Sequence, residues 1–305
     1  MYERGRGIVL NEPSVIAMNE RSGDVLAVGR EAWQMIGRTP SYIVAVRPLR
    51  KGAITDFDTT QRMIRLILQQ VGVGRFGKTR VVVCVPSVIT PVERRAVTDA
   101  ARRAGASDVR LIEQPMAAAI GSGLPIHEPI GNMVIDIGGG TAETAMVSMG
   151  GIVSLKAVRV GSFDFDVALQ NYARRVHGVA IGERTAEEIK VQIGSAWAVE
   201  DEFDAEVKGR DLTTGLPRTF ILTPDQVRSA LDEPVQAVID SVIDCLSQAP
   251  PELSQDLLVH GVHLVGGGGL LKGLAQRIEN DARVPVRIVR TPNGSCGSRG
   301  RTGSR

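Results

Sequence analysis

The amino-acid sequence predicts a mixed α/β protein. Apolar runs of strand length, such as residues 132–137, alternate with segments whose apolar residues recur at helical spacing, such as residues 58–71. Two of the apolar runs lead directly into glycine clusters, at 138–140 and 266–269. A chain of 305 residues is long enough for one large or two medium domains with a substantial buried core.

Composition and charge exclude several classes of protein. The net charge is +2, and three arginines lie in the last fifteen residues, so the rest of the chain carries −1 and we expect no nucleic-acid partner. The three cysteines, Cys84, Cys245 and Cys296, are too far apart for a metal-binding pair, and their number favours a reducing compartment. Because the sequence shows no signal-peptide pattern and no bilayer-spanning run, we expect a soluble, cytoplasmic protein.

The first part of the chain is expected to hold short strands and amphipathic helices. Thr90-Pro91-Val92-Glu93 is a capping box with proline at the first helical position, which predicts a helix that ends near Gly105. The other expected helices are 31–36, 58–71 and one that begins at 115–121, and the expected strands are 7–10, 14–19, 24–29, 42–47, 80–86 and 109–112.

The second part begins with a predicted meander of three strands. Thr185-Ala186-Glu187-Glu188 has the pattern of a second capping box, and the helix it starts would carry Ile189, Ile193, Ala196 and Trp197 on one face. His260 and His263 are expected on one strand with their side chains on opposite faces, which makes them poor joint metal ligands. The expected strands are 132–137, 143–148, 152–160, 202–208, 218–222, 257–265 and 286–289, and the expected helices are 165–176, 224 to about 248, and 270–281.

The first glycine cluster is Asp136-Ile137-Gly138-Gly139-Gly140-Thr141. Consecutive glycines let backbone N–H groups converge on one anion, because no Cβ blocks the approach. Asp136 can orient the water shell of a phosphate-bound Mg²⁺, and Thr141 can offer a hydroxyl to phosphate or to an attacking water. The alternative is a tight chain reversal without a ligand.

The second cluster comprises Gly266, Gly267, Gly268 and Gly269, between a strand and a helix. Such a run permits a flat ligand to pass closely and leaves helical N–H groups facing it. Neither cluster has the Lys-Ser/Thr of a Walker loop, and neither fits a dinucleotide fingerprint. Two glycine turns, each after an apolar strand, favour a nucleotide site but do not identify its chemistry.

The sequence around the first cluster resembles a known family. Residues 132–145, NMVIDIGGGTAETA, are similar to the second phosphate loop of the actin-like ATPases, and specifically of the MreB/Mbl family of bacterial rod shape-determining proteins. The similarity extends over roughly residues 4–290, with further matching segments at 4–17, 46–58, 92–97, 113–125, 182–190, 209–218 and 266–274.

The resemblance implies an actin-like ATPase fold, with ribonuclease H-like duplicated domains around a nucleotide cleft. Domain I would span 1–128 with a small subdomain at about 15–47, and domain II would span 129–290 with a small subdomain at about 164–227. Residues 291–305, rich in Gly, Ser and Arg, would form a disordered or degenerate tail. The family polymerises head to tail into filaments that attach to the inner membrane face and guide cell-wall synthesis.

The same resemblance assigns site residues. Gly138, Gly139, Gly140 and Thr141 would hold the β- and γ-phosphates of ATP, and Gly266–Gly269 would pass the purine and ribose. Glu187 and Lys190 would lie against the adenosine; without the family, a solvated i,i+3 pair is the better interpretation. Glu113 and Gln114 precede the proline where the family places its catalytic carboxylate. Magnesium would be held through water by Asp136.

Three departures from the family weaken the expected activity. Met1 falls inside or just after the family's second strand, so we expect the first phosphate loop to be absent and domain I to be incomplete. The family's catalytic Glu is Gln114 here, and an amide orients water but cannot take a proton, so we expect at most a weak ATPase. Phe163 stands in Gly161-Ser162-Phe163, where the family has Gly-Gly-Asp.

Two alternative functions stay open. The first, which these departures favour, is a nucleotide-poor, non-catalytic, truncated actin-fold subunit that co-assembles with a full-length MreB paralogue. The second is a chaperone-type ATPase or a sugar kinase of the same superfamily, which the family-wide motif agreement opposes. Phe76, in a glycine-rich segment, is aligned with a family loop that contacts the membrane, but one Phe is a weak anchor.

Overall fold

The computed structural model describes residues 1–50, 53–54, 56–72 and 79–289, the side chains of 49–50 and 53–54 excepted. The chain divides into two compact units, Met1–Ala117 and Ala118–Arg305. Phe76 and the tail 291–305 lie outside the described residues. Among the described residues, no helix combines the length and apolar character needed to cross a membrane.

The first unit contains short strands and three helices that lie wholly within its described residues. A three-stranded antiparallel sheet has the order β4-β3-β5, and β8 and β9 form a parallel pair. Its elements are β1 (Tyr2–Glu3), β2 (Gly7–Ile8), β3 (Ile16–Asn19), β4 (Val25–Val28), α1 (Arg30–Met35), β5 (Ile43–Val46), β6 (Leu49–Arg50), β7 (Ala53–Ile54), α2 (Phe57–Gln70), β8 (Arg80–Val85), α3 (Pro91–Arg103) and β9 (Asp108–Glu113), and α4 (Gln114–Gly121) continues into the second unit.

Side-chain caps set the starts of α2 and α3. The Asp56 carboxylate accepts a hydrogen bond from the Thr59 N–H at 3.1 Å. At α3, the Glu93 N–H donates to the Thr90 hydroxyl at 3.2 Å, and the Thr90 N–H donates to the Glu93 carboxylate at 2.9 Å. The capping box predicted at Thr90 is therefore confirmed, with proline at the first helical position.

The second unit is built on a five-stranded sheet of order β12-β11-β10-β16-β17. The predicted meander β10-β11-β12 is antiparallel, whereas β16 and β17 add in parallel. The elements are β10 (Asn132–Ile137), β11 (Ala142–Ser148), β12 (Gly151–Val158), α5 (Ser162–Tyr172) with a π-helical extension (Ala173–His177), β13 (Val179–Ala180), α6 (Glu183–Ile193), β14 (Ala205–Asp211), β15 (Pro217–Leu222), α7 (Pro224–Ser247), α8 (Pro251–His260), β16 (Val262–Val265), a 3₁₀ turn (Gly268–Leu270), α9 (Leu274–Ala282) and β17 (Val286–Ile288).

The core of this unit is one cluster of apolar side chains from the sheet and its helices. Ile135 and Ile137 of β10 pack with Phe165 of α5 and with Leu231 and Ile239 of α7, and all five are fully buried. Burying side chains of this size stabilises the fold by about 1.5–3 kcal/mol each. The β-hairpin predicted before α7 is confirmed as β14 and β15.

The capping box predicted at Thr185 is wrong. Helix α6 begins at Glu183 because Gly182, with φ −76° and ψ 164°, already provides the extended residue before the first turn. Thr185 therefore lies inside the helix, and Glu188 pairs with Arg184 at 3.0 Å instead of reaching back to an N-cap. The predicted face is also too long, since α6 ends at Ile193 and leaves Ala196 and Trp197 beyond it.

The strand predicted over 257–265 is also wrong in its first half. Pro251 starts helix α8, whose apolar residues continue without a break towards β16, so composition alone does not separate the two elements. Gly261, with φ 73°, ends the helix, and β16 starts at Val262. His260 and His263 thus lie on different elements. The helix predicted over 270–281 starts at Leu274, after the 3₁₀ turn.

The caps of α7 and α6 predict opposite results for two threonine substitutions. The Thr223 hydroxyl accepts from the Gln226 N–H at 3.3 Å, so we expect Thr223→Ala to lower the free energy of unfolding by about 1 kcal/mol. Thr185→Ala, inside α6, should change it by less than about 0.5 kcal/mol. Urea titrations of the full chain measure both. Equal losses for the two variants would contradict the observed helix boundaries.

Candidate functional site

The two glycine turns lie next to each other. Strands β10 and β16 pair in parallel with Asp136 opposite Val265, so both strands end at the same edge of the sheet. A Cβ on Gly266 would lie 2.6 Å from the Asp136 carboxylate and would collide with the Ile137 carbonyl. The site therefore consists of two backbone turns in direct contact, each following an apolar strand, as in α/β ligand sites.

Most glycines of these turns are required by neighbouring protein atoms. A Cβ on Gly139 would lie 2.6 Å from the Phe163 ring, and one on Gly269 would lie 2.9 Å from the Leu264 side chain. A Cβ on Gly268 would collide with the Ile137 side chain. These positions are glycine because the two turns and their strands approach so closely.

Two glycines face open space. A Cβ on Gly138 would contact only the Thr141 carbonyl, at an ordinary 3.5 Å, and Gly267 has no neighbour within 4 Å. Here the missing side chain leaves room beside the backbone, and a ligand can approach both turns. This arrangement fits a flat or anionic group held by main-chain N–H donors.

The first turn is clamped by the start of helix α5. The Ser162 N–H donates to the Gly138 carbonyl at 3.0 Å, and the Phe163 N–H donates to the Gly139 carbonyl at 2.8 Å. The turn itself closes through the Gly138 N–H, which donates to the Thr141 carbonyl at 2.9 Å. Three backbone hydrogen bonds therefore fix its conformation.

Lys190 links helix α6 to the same segment. Its ammonium forms a 2.8 Å ion pair with Asp166 and donates to the Ser162 carbonyl at 3.0 Å. The two charged side chains are only 12% and 9% exposed, so interpreting Lys190 as part of a solvated pair with Glu187 is wrong. Glu187 is half-buried on the same helix. An ammonium has three donors, and two of them are accounted for here.

Asp136 is a half-buried residue at the end of β10. Burial raises the pKa of Asp136 above its usual 3.8, because the charged form loses hydration. Its register partner on β11 is Glu143, which is 1% exposed, so two carboxyl groups share one face next to the turn. In the described part of the chain, no three His, Cys, Asp or Glu side chains form a group able to hold a metal.

The residues predicted to act on water belong to different units. Glu113 ends β9 in the first unit, and its carboxylate accepts a hydrogen bond from Arg94 at 3.2 Å. Gln114 is the first residue of α4. Thr141 lies in the second unit, directly before β11, and is 8% exposed.

A cavity of about 230 Å³ in the second unit is lined by Arg228, Asp232 and Arg277, among others. Arg228 is paired with Glu202 and Asp225, and Arg277 is paired with Asp281 at 2.8 Å and with Asp232 at 3.4 Å. Because both guanidinium groups already have carboxylate partners, this cavity offers a phosphate less than the glycine turns do.

Local sequence patterns do not assign Asp166, Ser162 and Glu143 to the site. Asp166 and Ser162 have no motif of their own, and their role depends on the packing of α5 against α6. Glu143 did carry a signal, since it is a charged residue within the otherwise uncharged strand AETAMVS. A charge in a fully buried strand points to a functional or paired group.

Comparison with known proteins identifies the family. Residues 1–302 match the family model described as MreB/Mbl protein. The chain belongs to the MreB/Mbl family. Over 306 positions it is 46% identical to the cell shape-determining protein MreB of Escherichia coli K12, covering 98% of this chain and 88% of that protein. It is 43% identical over 293 positions to the cell shape-determining protein Mbl of Bacillus subtilis, covering 96% and 88%.

Solved structures show the actin-like MreB fold. The crystal structure of MreB5 of Spiroplasma citri bound to ADP superposes with a TM-score of 0.90 at 33% identity, covering 95% of this chain and 87% of that one. The structure of the same protein bound to AMPPNP gives 0.89 at 34% identity, covering 94% and 86%. A MamK double helical filament gives 0.78 at 20% identity, covering 94% and 90%, and that likeness concerns the fold alone.

The different surroundings of Gly267 and Gly268 predict opposite stabilities for two alanine variants. Gly267 is helical, with φ −66°, and faces open space, so Gly267→Ala should change the free energy of unfolding by less than about 0.5 kcal/mol. Gly268→Ala forces a methyl group into Ile137 and should cost about 1–3 kcal/mol. Thermal unfolding compares the two. A larger loss for Gly267→Ala would contradict the turn geometry.

The raised pKa of Asp136 predicts a pH-dependent effect of its removal. Burial disfavours the carboxylate, so protonated Asp136 is better tolerated in the folded state than ionised Asp136. Its contribution to stability is therefore fully present below pH 3.8 and is lost as pH rises through its raised pKa. Without nucleotide or divalent cations, Asp136→Asn should therefore raise the melting temperature at pH 8, and the gain should shrink towards pH 4. A lower melting temperature at pH 8 would show that the carboxylate stabilises the fold.

Proposed function

We propose that this chain is a cytoskeletal protein that binds ATP and polymerises for cell-shape determination. The observation that carries the proposal is the adjacency of the two glycine turns, with open space beside Gly138 and Gly267. Family membership adds two facts about relatives: the E. coli and B. subtilis proteins are cell shape-determining, and MreB5 binds ADP and AMPPNP.

In the proposed site, the first turn holds the phosphates. Backbone N–H groups of Gly139 and Gly140 would bind the β- and γ-phosphates, together with Thr141. The Gly138 N–H already closes the turn through the Thr141 carbonyl, so Gly138 would contribute its open side and no donor. The run Gly266–Gly269 would pass the purine and ribose, with Glu187 and Lys190 towards the adenosine. Support comes from the open sides of Gly138 and Gly267 and from the third donor of the Lys190 ammonium.

Magnesium fits this site only together with the phosphates. In the described part of the chain the protein supplies no three-ligand group, but the half-buried Asp136 has a raised pKa because partial burial removes hydration from its carboxylate. A phosphate-bound Mg²⁺, when present, would neutralise phosphate charge, and Asp136 would orient its water shell. The carboxylate would in turn be stabilised by the cation.

Hydrolysis is expected to be slow. Gln114 would orient the attacking water but cannot accept its proton. Glu113 has a carboxylate, but that group is already hydrogen-bonded to Arg94. The functional output would then be the filament, with nucleotide biasing the conformation that subunits adopt on assembly.

The proposed partners are further copies of the chain, the inner membrane surface and the cell-wall synthesis machinery, in the cytoplasm. The names of the E. coli and B. subtilis relatives support a role in cell shape. A second candidate is a non-catalytic subunit that co-assembles with a full-length MreB paralogue. Gln114 in place of a carboxylate favours this version, because an amide cannot accept a proton.

Pelleting at micromolar protein tests the proposal. The full chain should sediment with Mg-ATP and stay in the supernatant without nucleotide. Gly267→Ala keeps the fold but places a methyl group in the open space beside the turn. This variant should therefore stay in the supernatant with Mg-ATP as well as without nucleotide.

Two other outcomes contradict self-assembly. Sedimentation that is equal with and without nucleotide would show aggregation. A chain that stays in solution in both conditions, but sediments when full-length E. coli MreB polymerises beside it, would support the second candidate instead.

A further inference from the structure

The side chain of Phe163 lies against the first glycine turn, at Gly139. Its Cε2 and Cζ atoms lie 2.6 and 2.8 Å from the place where a Cβ on Gly139 would stand. Glycine at 139 leaves room for the ring, which fills the space that a Cβ there would occupy. The contact links a residue outside the turn to the orientation of the turn.

The hydrogen bonds of this segment determine where the turn points its N–H groups. The carbonyls of Gly138 and Gly139 accept from Ser162 and Phe163, so both carbonyls face the start of helix α5. In a planar trans peptide the N–H points opposite to the carbonyl. The N–H groups of Gly139 and Gly140 therefore point away from α5.

The same bonds show that the start of α5 is not itself the anion site. Its first N–H groups, which at many helix N-termini bind a phosphate, are used by the carbonyls of the turn. Helix α5 thus acts on a phosphate only through the turn.

Side chains of Asp164 and Lys190 hold the start of helix α5 in place. The Asp164 carboxylate accepts from the Gly161 N–H at 2.9 Å, and Lys190 bonds the Ser162 carbonyl at 3.0 Å while paired with Asp166. These bonds hold the Val160–Gly161 and Ser162–Phe163 peptide units in place behind the turn.

We propose that Phe163 is a positioning residue for polyphosphate binding. Its ring holds Gly139 so that the N–H groups of Gly139 and Gly140 converge on the phosphates. The inference rests on the proposed function, and it adds a residue that determines how much more tightly the site binds a nucleotide with three phosphates than one with a single phosphate. Removing the ring keeps the backbone hydrogen bonds of the turn but lets the Gly139 peptide fluctuate about them. The donors then converge less well on the phosphates, and contacts to the nucleoside are unchanged.

The test compares ATP with AMP by calorimetry on the full chain, for the wild type, Phe163→Ala, Phe163→Leu and a control. The control is Phe203→Ala, at a loop residue that is 54% exposed. We expect Phe163→Ala to lower the ratio of ATP to AMP affinity by about tenfold, Phe163→Leu to restore it to within about threefold, and Phe203→Ala to leave it unchanged. Thermal unfolding verifies that each variant folds.

Hydrogen exchange of the backbone amides at 138–141 without nucleotide gives a second readout. Exchange there should rise in Phe163→Ala and stay at the wild-type rate in Phe203→Ala. An unchanged affinity ratio in a folded Phe163→Ala variant overturns the inference, even if the affinity for both nucleotides falls equally. If the wild type binds no ATP, the proposed function fails, and unchanged exchange in Phe163→Ala then overturns the positioning role separately.

Discussion

The parallel pairing of β10 with β16 is the constraint on which the candidate site depends. It places Asp136 opposite Val265 and so starts both glycine turns at one edge of the sheet, although more than a hundred residues separate them in sequence. The meander β10-β11-β12 is local and forms from neighbouring segments, whereas this pairing is long-range and brings the second turn back to the first. Without it, each turn would be an ordinary chain reversal.

This close approach explains why so many residues of the two turns are glycine. Gly139, Gly266, Gly268 and Gly269 accommodate a ring, a carbonyl or an aliphatic side chain of their own fold, whereas Gly138 and Gly267 leave open space. A run of glycine in sequence therefore combines two physical causes. One is packing of the protein against itself, and the other is access for a ligand; only the open positions bear directly on binding.

The sequence predicts much of this protein, and its errors have identifiable causes. Strand β10, the meander, α2, the cap of α3 and the hairpin before α7 all follow from local patterns that the structure confirms. The sequence pattern misplaces the start of α6, because Thr185 fits a capping box while Gly182 provides the actual cap. It predicts a strand where α8 lies, because the apolar residues of α8 continue into β16. The glycine turns were recognisable as candidates, but their contact depends on long-range pairing. Local patterns also gave no indication of the bonds from Lys190 to Asp166 and Ser162.

The charged side chains around the site are already paired or have a raised pKa, so a charged ligand such as a phosphate would be held mainly by main-chain dipoles. Lys190 is neutralised by Asp166, and the Asp164 carboxylate caps Gly161, so the charges beside α5 are already satisfied inside the protein. On the other side of the first turn, Asp136 has a raised pKa because burial costs its carboxylate hydration. Main-chain N–H groups then remain as donors to a phosphate, and their direction is set by hydrogen bonds to Ser162 and Phe163. Binding at such a site depends on the orientation of neutral dipoles, so residues that fix the backbone matter as much as those that carry charge.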